Sequence, residues 1–211
     1  PIYFAHYDYT AAAVTNLLPD ARVGPGNILN PREGQFGTRT RGMWGLDIID
    51  HAARGTNAVT GGTGARMDWF SCSWYARVGR PLSDFDEAVN LMRTRLERYP
   101  RFRDTPLVIG EFTVLHDERG RRLWSGDTTE WAASFYAGLA DRVYRYGIGQ
   151  VYEWSQTTEG LLHPRTQVIA MLDRMADGTR LATEIHAQSD ADCGAIACRK
   201  EGDLYILLYN H

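Results

Sequence analysis

The sequence predicts an α/β fold, with parallel strands covered by helices and a short antiparallel segment following them. Three observations carry this. Between residues 21 and 178, short apolar runs alternate four times with amphipathic helical runs, and such alternation calls for a parallel sheet with helices packed on it. Pro100, Gly147, Pro164 and Gly178 stand where helices open or end, as their backbone chemistry favours. After Gly178 the residues 181–185, 193–199 and 203–209 read as three strands, with Lys200-Glu201-Gly202-Asp203 as a hairpin turn.

In order, residues 3–18 have helical spacing, with Leu17 and Leu18 before Pro19. Residues 21–27 form a short strand running into a Gly/Pro-rich loop. Residues 43–54 form a helix with Leu46, Ile49 and Ala53 on one face. Residues 67–75 form an aromatic-rich strand. Residues 83–99 form a helix capped by Ser83, with Asp86 and Glu87 in its first turn. Residues 105–112 form a buried-type strand, followed by a polar loop over 116–126. Asp127 and Glu130 open the next helix, along which Trp131, Phe135, Leu139 and Val143 repeat. Residues 149–154 are the next strand, and Pro164 opens the last helix. A complete (β/α)8 barrel takes about 250 residues. Four strand–helix units therefore correspond to half of one: residues 1–178 are expected to be a partial barrel and 179–211 part of a small antiparallel β domain.

The 211 residues are 44% hydrophobic and 23% charged, with a net charge of −3. That balance gives no electrostatic reason to expect nucleic acid or a membrane surface as partner. No apolar run is long enough to span a bilayer. The opening on Pro1 leads us to expect further chain before it. Cys72, Cys193 and Cys198 fit neither a zinc site nor a disulfide framework; they read as small buried hydrophobes, with a Cys193–Cys198 bridge as the alternative. The 6 Trp and 11 Tyr serve packing, and such rings also stack on sugars.

In parallel α/β folds function gathers at the carboxyl ends of strands. Those ends carry Asn27, then Ser73, Trp74 and Tyr75, then Gly110-Glu111-Phe112, then Tyr152-Glu153-Trp154-Ser155-Gln156. A carboxylate among rings and amides suits an uncharged polyhydroxylated substrate. His6, His51, His116 and His163 lack metal-ligand spacing, so no metal or other cofactor is expected. The glycine-rich stretch 59–65 has no convincing strand leading in and no helix after it to present its N-terminus to phosphate.

Val108-Ile109-Gly110-Glu111-Phe112 resembles the seventh-strand nucleophile motif of clan A glycoside hydrolases, and Trp154 is similar to their eighth-strand sugar-platform tryptophan. Arg22-Val23-Gly24-Pro25-Gly26 resembles their fifth strand and Asp68-Trp69-Phe70-Ser71-Cys72-Ser73-Trp74-Tyr75 their sixth. The segment from Cys198 to His211 resembles the start of the β-sandwich appended to family 39 members, the β-xylosidase type. The resemblance implies the C-terminal half of the barrel, an oligosaccharide or polysaccharide substrate, and a retaining two-carboxylate mechanism with Glu111 as nucleophile. It implies Trp154, Tyr75, Trp74 and Asn27 as substrate-side residues. The family's acid/base glutamate follows an asparagine, and this sequence contains no Asn-Glu pair; the pair is expected upstream of Pro1.

Each assignment has a structural alternative. Glu111 is a nucleophile or a strand-end ion-pair partner. Trp154 is a sugar platform or a barrel-top filler. Tyr75 and Trp74 hold Glu111 or pack, and Asn27 touches substrate or forms a turn. Glu153 neighbours Trp154 on a strand, and alternation sends it to the opposite face; Glu33 and Glu159 fall in loops. The oligomeric state is not legible.

Overall fold

The computed structural model describes residues 2–29, 31, 44–118, 121–123, 126–154, 163–186 and 192–211. In chain order its elements are α1 (Ile2–Leu17), β1 (Asn27–Leu29), α2 (Trp44–Arg54), β2 (Phe70–Arg77), α3 (Ser83–Glu97), β3 (Leu107–Glu118), β4 (Arg121–Leu123), α4 (Glu130–Arg145), β5 (Gln150–Glu153), α5 (Pro164–Met175), β6 (Thr179–Leu181), β7 (Cys193–Lys200) and β8 (Asp203–Asn210). The α/β class read from the sequence is the one observed: four strand–helix units after α1, then a three-stranded antiparallel sheet. The chain divides into two compact units. The first comprises Pro1–Trp74, Glu87–Phe112 and Ile148–Glu153, and the second comprises Tyr75–Asp86, Thr113–Gly147 and Trp154–His211.

Several boundaries differ from expectation, each for a local reason. The first strand begins at Asn27, where it was expected to end. Upstream, Gly26 holds a φ of +82°, and a Cβ on Gly24 would fall 2.3 Å from the Trp69 ring; this stretch is shaped by close approach, not by a ladder. The polar run after Leu115 is a hairpin arm: His116 pairs with Leu123 and Glu118 with Arg121. Antiparallel strands can carry polar residues on one face. Thr129, not Asp127, caps α4, its side-chain oxygen accepting from the Ala132 N–H. Cys193 and Cys198 are free thiols on one strand. Five residues of strand separate their Cα atoms by roughly 16 Å, far beyond disulfide reach.

In the first unit β1 pairs in parallel with β2, β2 neighbours β3, and β3 pairs in parallel with β5. Leu46, Ile48 and Ile49 of α2, Phe70, Cys72 and Trp74 of β2, and Met92 and Leu96 of α3 are all at most 2% exposed. β2 is buried from Phe70 to Trp74 on both faces, as an inner strand of a parallel sheet is. Burial pushes the Cys72 thiol up to about 12, so it serves as a small hydrophobe.

A buried carboxylate fastens α1. Asp8 is 1% exposed; both its oxygens lie 3.0 Å from His51 Nε2 on α2, and Oδ2 accepts the Ala58 N–H at 2.8 Å. His51 stacks on Phe4 at 4.7 Å, and the Tyr7 hydroxyl donates to the Arg66 carbonyl. One side chain thereby joins two helices and the loop after α2.

In the second unit β7 pairs antiparallel with β6 and β8. Glu201 (φ 53°) and Gly202 (φ 92°) make the two-residue turn between β7 and β8, with positive φ at both central positions as a type I′ hairpin requires. The ends of β6 and β8 are tied to α4 by charge. Asp141, 4% exposed, accepts from Tyr209 at 3.1 Å, from Arg145 at 2.7 Å, and from Arg180. Burial and then the Asp141 charge push the Tyr209 phenol up to about 12. Arg142 bridges Asp86 at 3.0 Å and Asp192 at 3.1 Å. His211 closes the unit, packed on Trp131 and Phe135 with Ser134 Oγ 3.1 Å from Nδ1.

Two stability predictions follow from these contacts. Asp8→Ala leaves the His51 ring and the Ala58 N–H without their acceptor, and urea denaturation should show a loss of about 1–3 kcal/mol. Burial holds the His211 imidazole below its usual 6.5, outweighing the Arg80 carbonyl and Asp192, while Arg142 acts in the same direction as burial. The folded state therefore binds fewer protons here than the unfolded chain. The contribution is complete above about pH 6.5 and is lost as pH falls towards the folded value. The denaturation midpoint should drop more between pH 7.5 and 5 in the native chain than in His211→Gln.

Candidate active site

Cross-strand register determines which side chains β3 presents. Ile109 pairs with Val151 and Phe112 with Glu153, so three steps on β3 match two on β5. Gly110 and Glu111 together oppose one residue, Tyr152. Registered partners in a sheet point to the same face. Gln150 and Tyr152 line a cavity of about 630 Å³ together with Ser71, Val108, Gly110 and Asn27. Ile109 is 1% exposed and Phe112 also 1%, on the opposite, packed face. Strict alternation would have put Glu111 on the Ile109 face. With the extra residue, alternation along the strand no longer assigns Glu111 to the Ile109 face; Glu111 is half-buried. Bulges are rare in parallel pairs.

The same parity sorts β2. Ser71 and Ser73 share the cavity-side parity with Tyr75, which is half-buried, while Phe70, Cys72 and Trp74 alternate to the packed side. Trp74 is 2% exposed and lies parallel to the Phe112 ring, centroids 6.0 Å apart and planes 7° apart. That stack fixes the residue next to Glu111 from the packed side.

Asn27 has a defined place. As the first residue of β1, in register with Ser71, its Oδ1 accepts the Ser71 hydroxyl at 2.5 Å. A Cβ on Gly110 would fall 2.0 Å from that Oδ1 and 2.7 Å from the amide carbon and nitrogen. The glycine beside Glu111 is thus the space in which the Asn27 amide sits.

Trp154 follows β5 and is 40% exposed. Glu153 is paired with Phe112, and its own side chain is exposed. Tyr152 was missed as a site residue. It is 54% exposed and is the partner of the Gly110–Glu111 pair. Its spacing of two from both Gln150 and Trp154 was the available signal. The cavity also takes in Pro106, Leu107 and Gly149, residues at the amino ends of β3 and β5, so it runs along the sheet from the end opposite the expected mouth. In a closed (β/α)8 barrel this face is packed with side chains.

Among the described residues no group of three His, Cys, Asp or Glu side chains is placed to hold a metal ion, and no helix is long and apolar enough to cross a membrane. His163 precedes α5 without capping it through its side chain, and His116 is half-buried on β3. Ser155, Gln156, Glu33 and Glu159 lie outside the described residues.

No family model matches the chain. Over 142 residues it is 25% identical to the α-L-iduronidase of Mus musculus, a stretch covering 67% of this chain and 20% of that protein. It superposes on the crystal structure of a glucosidase from Croceicoccus marinus with a TM-score of 0.57 at 16% identity, covering 98% of this chain and 49% of that one. That likeness is one of fold. CelM2, a bifunctional glucanase-xylanase protein from a metagenome library, gives a TM-score of 0.45 at 15% identity, covering 79% of this chain and 36% of that one, too low to carry an argument. The chain spans a fifth of the iduronidase and about half of the glucosidase.

Gly110→Ala tests the packing of the site. The Asn27 amide is the far end of a flexible side chain, so it should swing away and the chain should still fold. Loss of the Ser71 hydrogen bond should lower stability by about 0.5–1.5 kcal/mol. The Asn27 side-chain NH2 resonances should move by NMR, and unchanged resonances would contradict the described contact.

Proposed function

We propose that this chain is the nucleophile-bearing part of a retaining glycoside hydrolase of clan A, most like family 39, with Glu111 as nucleophile. The observation that supports the reading is the one-residue shift between β3 and β5, which sets the Gly110–Glu111 pair opposite Tyr152. Order supports it too: the seventh-strand-like motif, the platform-like Trp154 and the appended β segment succeed one another as in that clan. The similarity to a mouse α-L-iduronidase runs in the same direction.

In this mechanism a Glu111 carboxylate oxygen attacks the anomeric carbon while a second carboxyl group protonates the departing glycosidic oxygen. Water then attacks the glycosyl–enzyme ester, giving its proton to that second group, and Glu111 is released. The two carboxyl groups of a retaining pair stand about 5–5.5 Å apart. On the clan's pattern we assign the second role to a glutamate of an Asn-Glu motif that this sequence does not contain. Tyr152 supplies a ring for a sugar face, and Trp154 and Tyr75 are the further rings that the clan's pattern implies; such apolar stacking leaves the hydroxyls to polar side chains. Asn27 carries an amide on the same side, with its oxygen already engaged by Ser71. Trp74 acts through packing on Phe112.

A second reading, a carbohydrate-binding barrel without turnover, keeps the rings and predicts glycan-array binding without hydrolysis.

Glu111→Gln in the native full-length protein should lower kcat/KM on aryl glycosides by roughly 10⁴-fold or more, with an unchanged circular dichroism spectrum. A 2-deoxy-2-fluoro glycoside should add its mass to the peptide carrying Glu111. A label on any other residue would overturn the assignment.

A further inference from the structure

The glycine-rich stretch after α2 builds a second polar site, distinct from the Glu111 face. Residues 55–64 fold back on themselves. The Asn57 N–H donates to the Gly62 carbonyl, the Gly61 N–H to the Asn57 carbonyl and the Gly64 N–H to the Gly55 carbonyl, at 2.7–2.9 Å. Asn57 Oδ1 accepts the Val59 and Thr60 N–H groups, both at 3.0 Å, and the Ala58 N–H is held by the buried Asp8. Gly61 and Gly64 take the positive φ values, 70° and 80°, that this folding needs. The loop is therefore shaped before any ligand arrives.

It walls a cleft of about 420 Å³ with Asn57, Thr60, Thr63, Arg66, Asp68 and Arg101 among its lining. Arg101 comes from the turn that enters β3, and its guanidinium is held on three sides. Nη2 donates to the Ala65 carbonyl at 3.0 Å, the guanidinium carbon sits 4.7 Å over the Phe102 ring, and Nη1 would lie 2.9 Å from a Cβ on Gly64. Among the described residues it has no carboxylate within ion-pair distance. Asp68 is already matched, with Arg66 Nε at 2.7 Å and the Val23 N–H at 2.9 Å on the same Oδ2. Thr60 Oγ1 accepts the Gly62 N–H at 3.2 Å, which leaves its own proton to donate, and the Thr63 side chain is exposed at the rim.

A cation of fixed orientation with no countercharge among the described residues, flanked by hydroxyl donors on an internally bonded loop, suits an anion. A guanidinium offers paired N–H donors that match two oxygens at once, and preorganisation removes much of the ordering cost of binding. We propose that this cleft binds a small tetrahedral oxyanion of the phosphate or sulfate type, with Arg101 as principal ligand and Thr60 and Thr63 as hydroxyl donors. The recognition rests on side chains and not on a helix N-terminus; β2, not a helix, follows this loop. It is independent of Glu111.

The test uses the native chain, titrated with inorganic phosphate at constant ionic strength and followed by 1H–15N NMR, with chloride and acetate as comparison arms. Saturable shifts confined to residues 60–65 and the Arg101 side chain are expected. Arg101→Gln should weaken phosphate at least tenfold, Arg101→Lys by a smaller factor, and Thr60→Val/Thr63→Val by an intermediate one, while Arg103→Gln should change nothing. Shifts that do not saturate, that chloride or acetate reproduces, or that persist in Arg101→Gln would overturn the proposal.

Discussion

Parallel pairing of β3 with β5, one residue out of step between Ile109 and Phe112, is the constraint on which the candidate site rests. In a pleated strand every side chain's direction is inherited from its neighbours. A single inserted residue therefore leaves Ile109 and Phe112, three positions apart, both packed, while Val108 and Gly110 line the cavity. The inserted residue costs regular ladder bonding at that point. The Phe112–Trp74 stack and the burial of both rings hold the strand in place around it. Glycine at 110 is part of the same arrangement, since the Asn27 amide occupies the space its side chain would take.

Within each unit, charged groups are buried where they join elements that apolar packing alone would leave loosely oriented. Asp8 joins α1, α2 and the loop after α2 through one carboxylate. In the second unit Asp141 and Arg142, successive residues of α4, reach Tyr209, Arg145 and Arg180 on one side and Asp86 and Asp192 on the other. A buried ion pair contributes less net stability than its Coulomb attraction suggests, because both ions are desolvated. Its geometry is nonetheless demanding, and breaking one partner leaves an uncompensated charge. Such contacts favour one arrangement of the helix against the sheet over its near alternatives.

Much of this was legible in the residues. Helix positions followed from apolar spacing and from Pro and Gly at their ends, and the β7–β8 turn followed from Glu201-Gly202, whose positive φ values a hairpin needs. Polarity misled after Leu115, where a hairpin arm carries the charges that suggested a loop. Spacing misled at residues 21–26, where apolar and small residues suggested a strand but Gly24 is given over to contact with Trp69. Both errors have one cause: local composition reports exposure and flexibility, while strand membership depends on a partner elsewhere in the chain.

By itself, then, the sequence determined the α/β class and the succession of strand–helix units, because these depend on periodicity and on residue types that are local. It left open which way Trp74 and Asn27 face and how β3 lies against β5. The shift against β5 sets Gly110 and Glu111 opposite Tyr152, the Phe112 stack takes Trp74 into the packed layer, and Ser71 and Gly110 receive the Asn27 amide. Register is a relation between strands about forty residues apart in the chain. No window of residues along one strand contains it, and only the folded sheet could decide it.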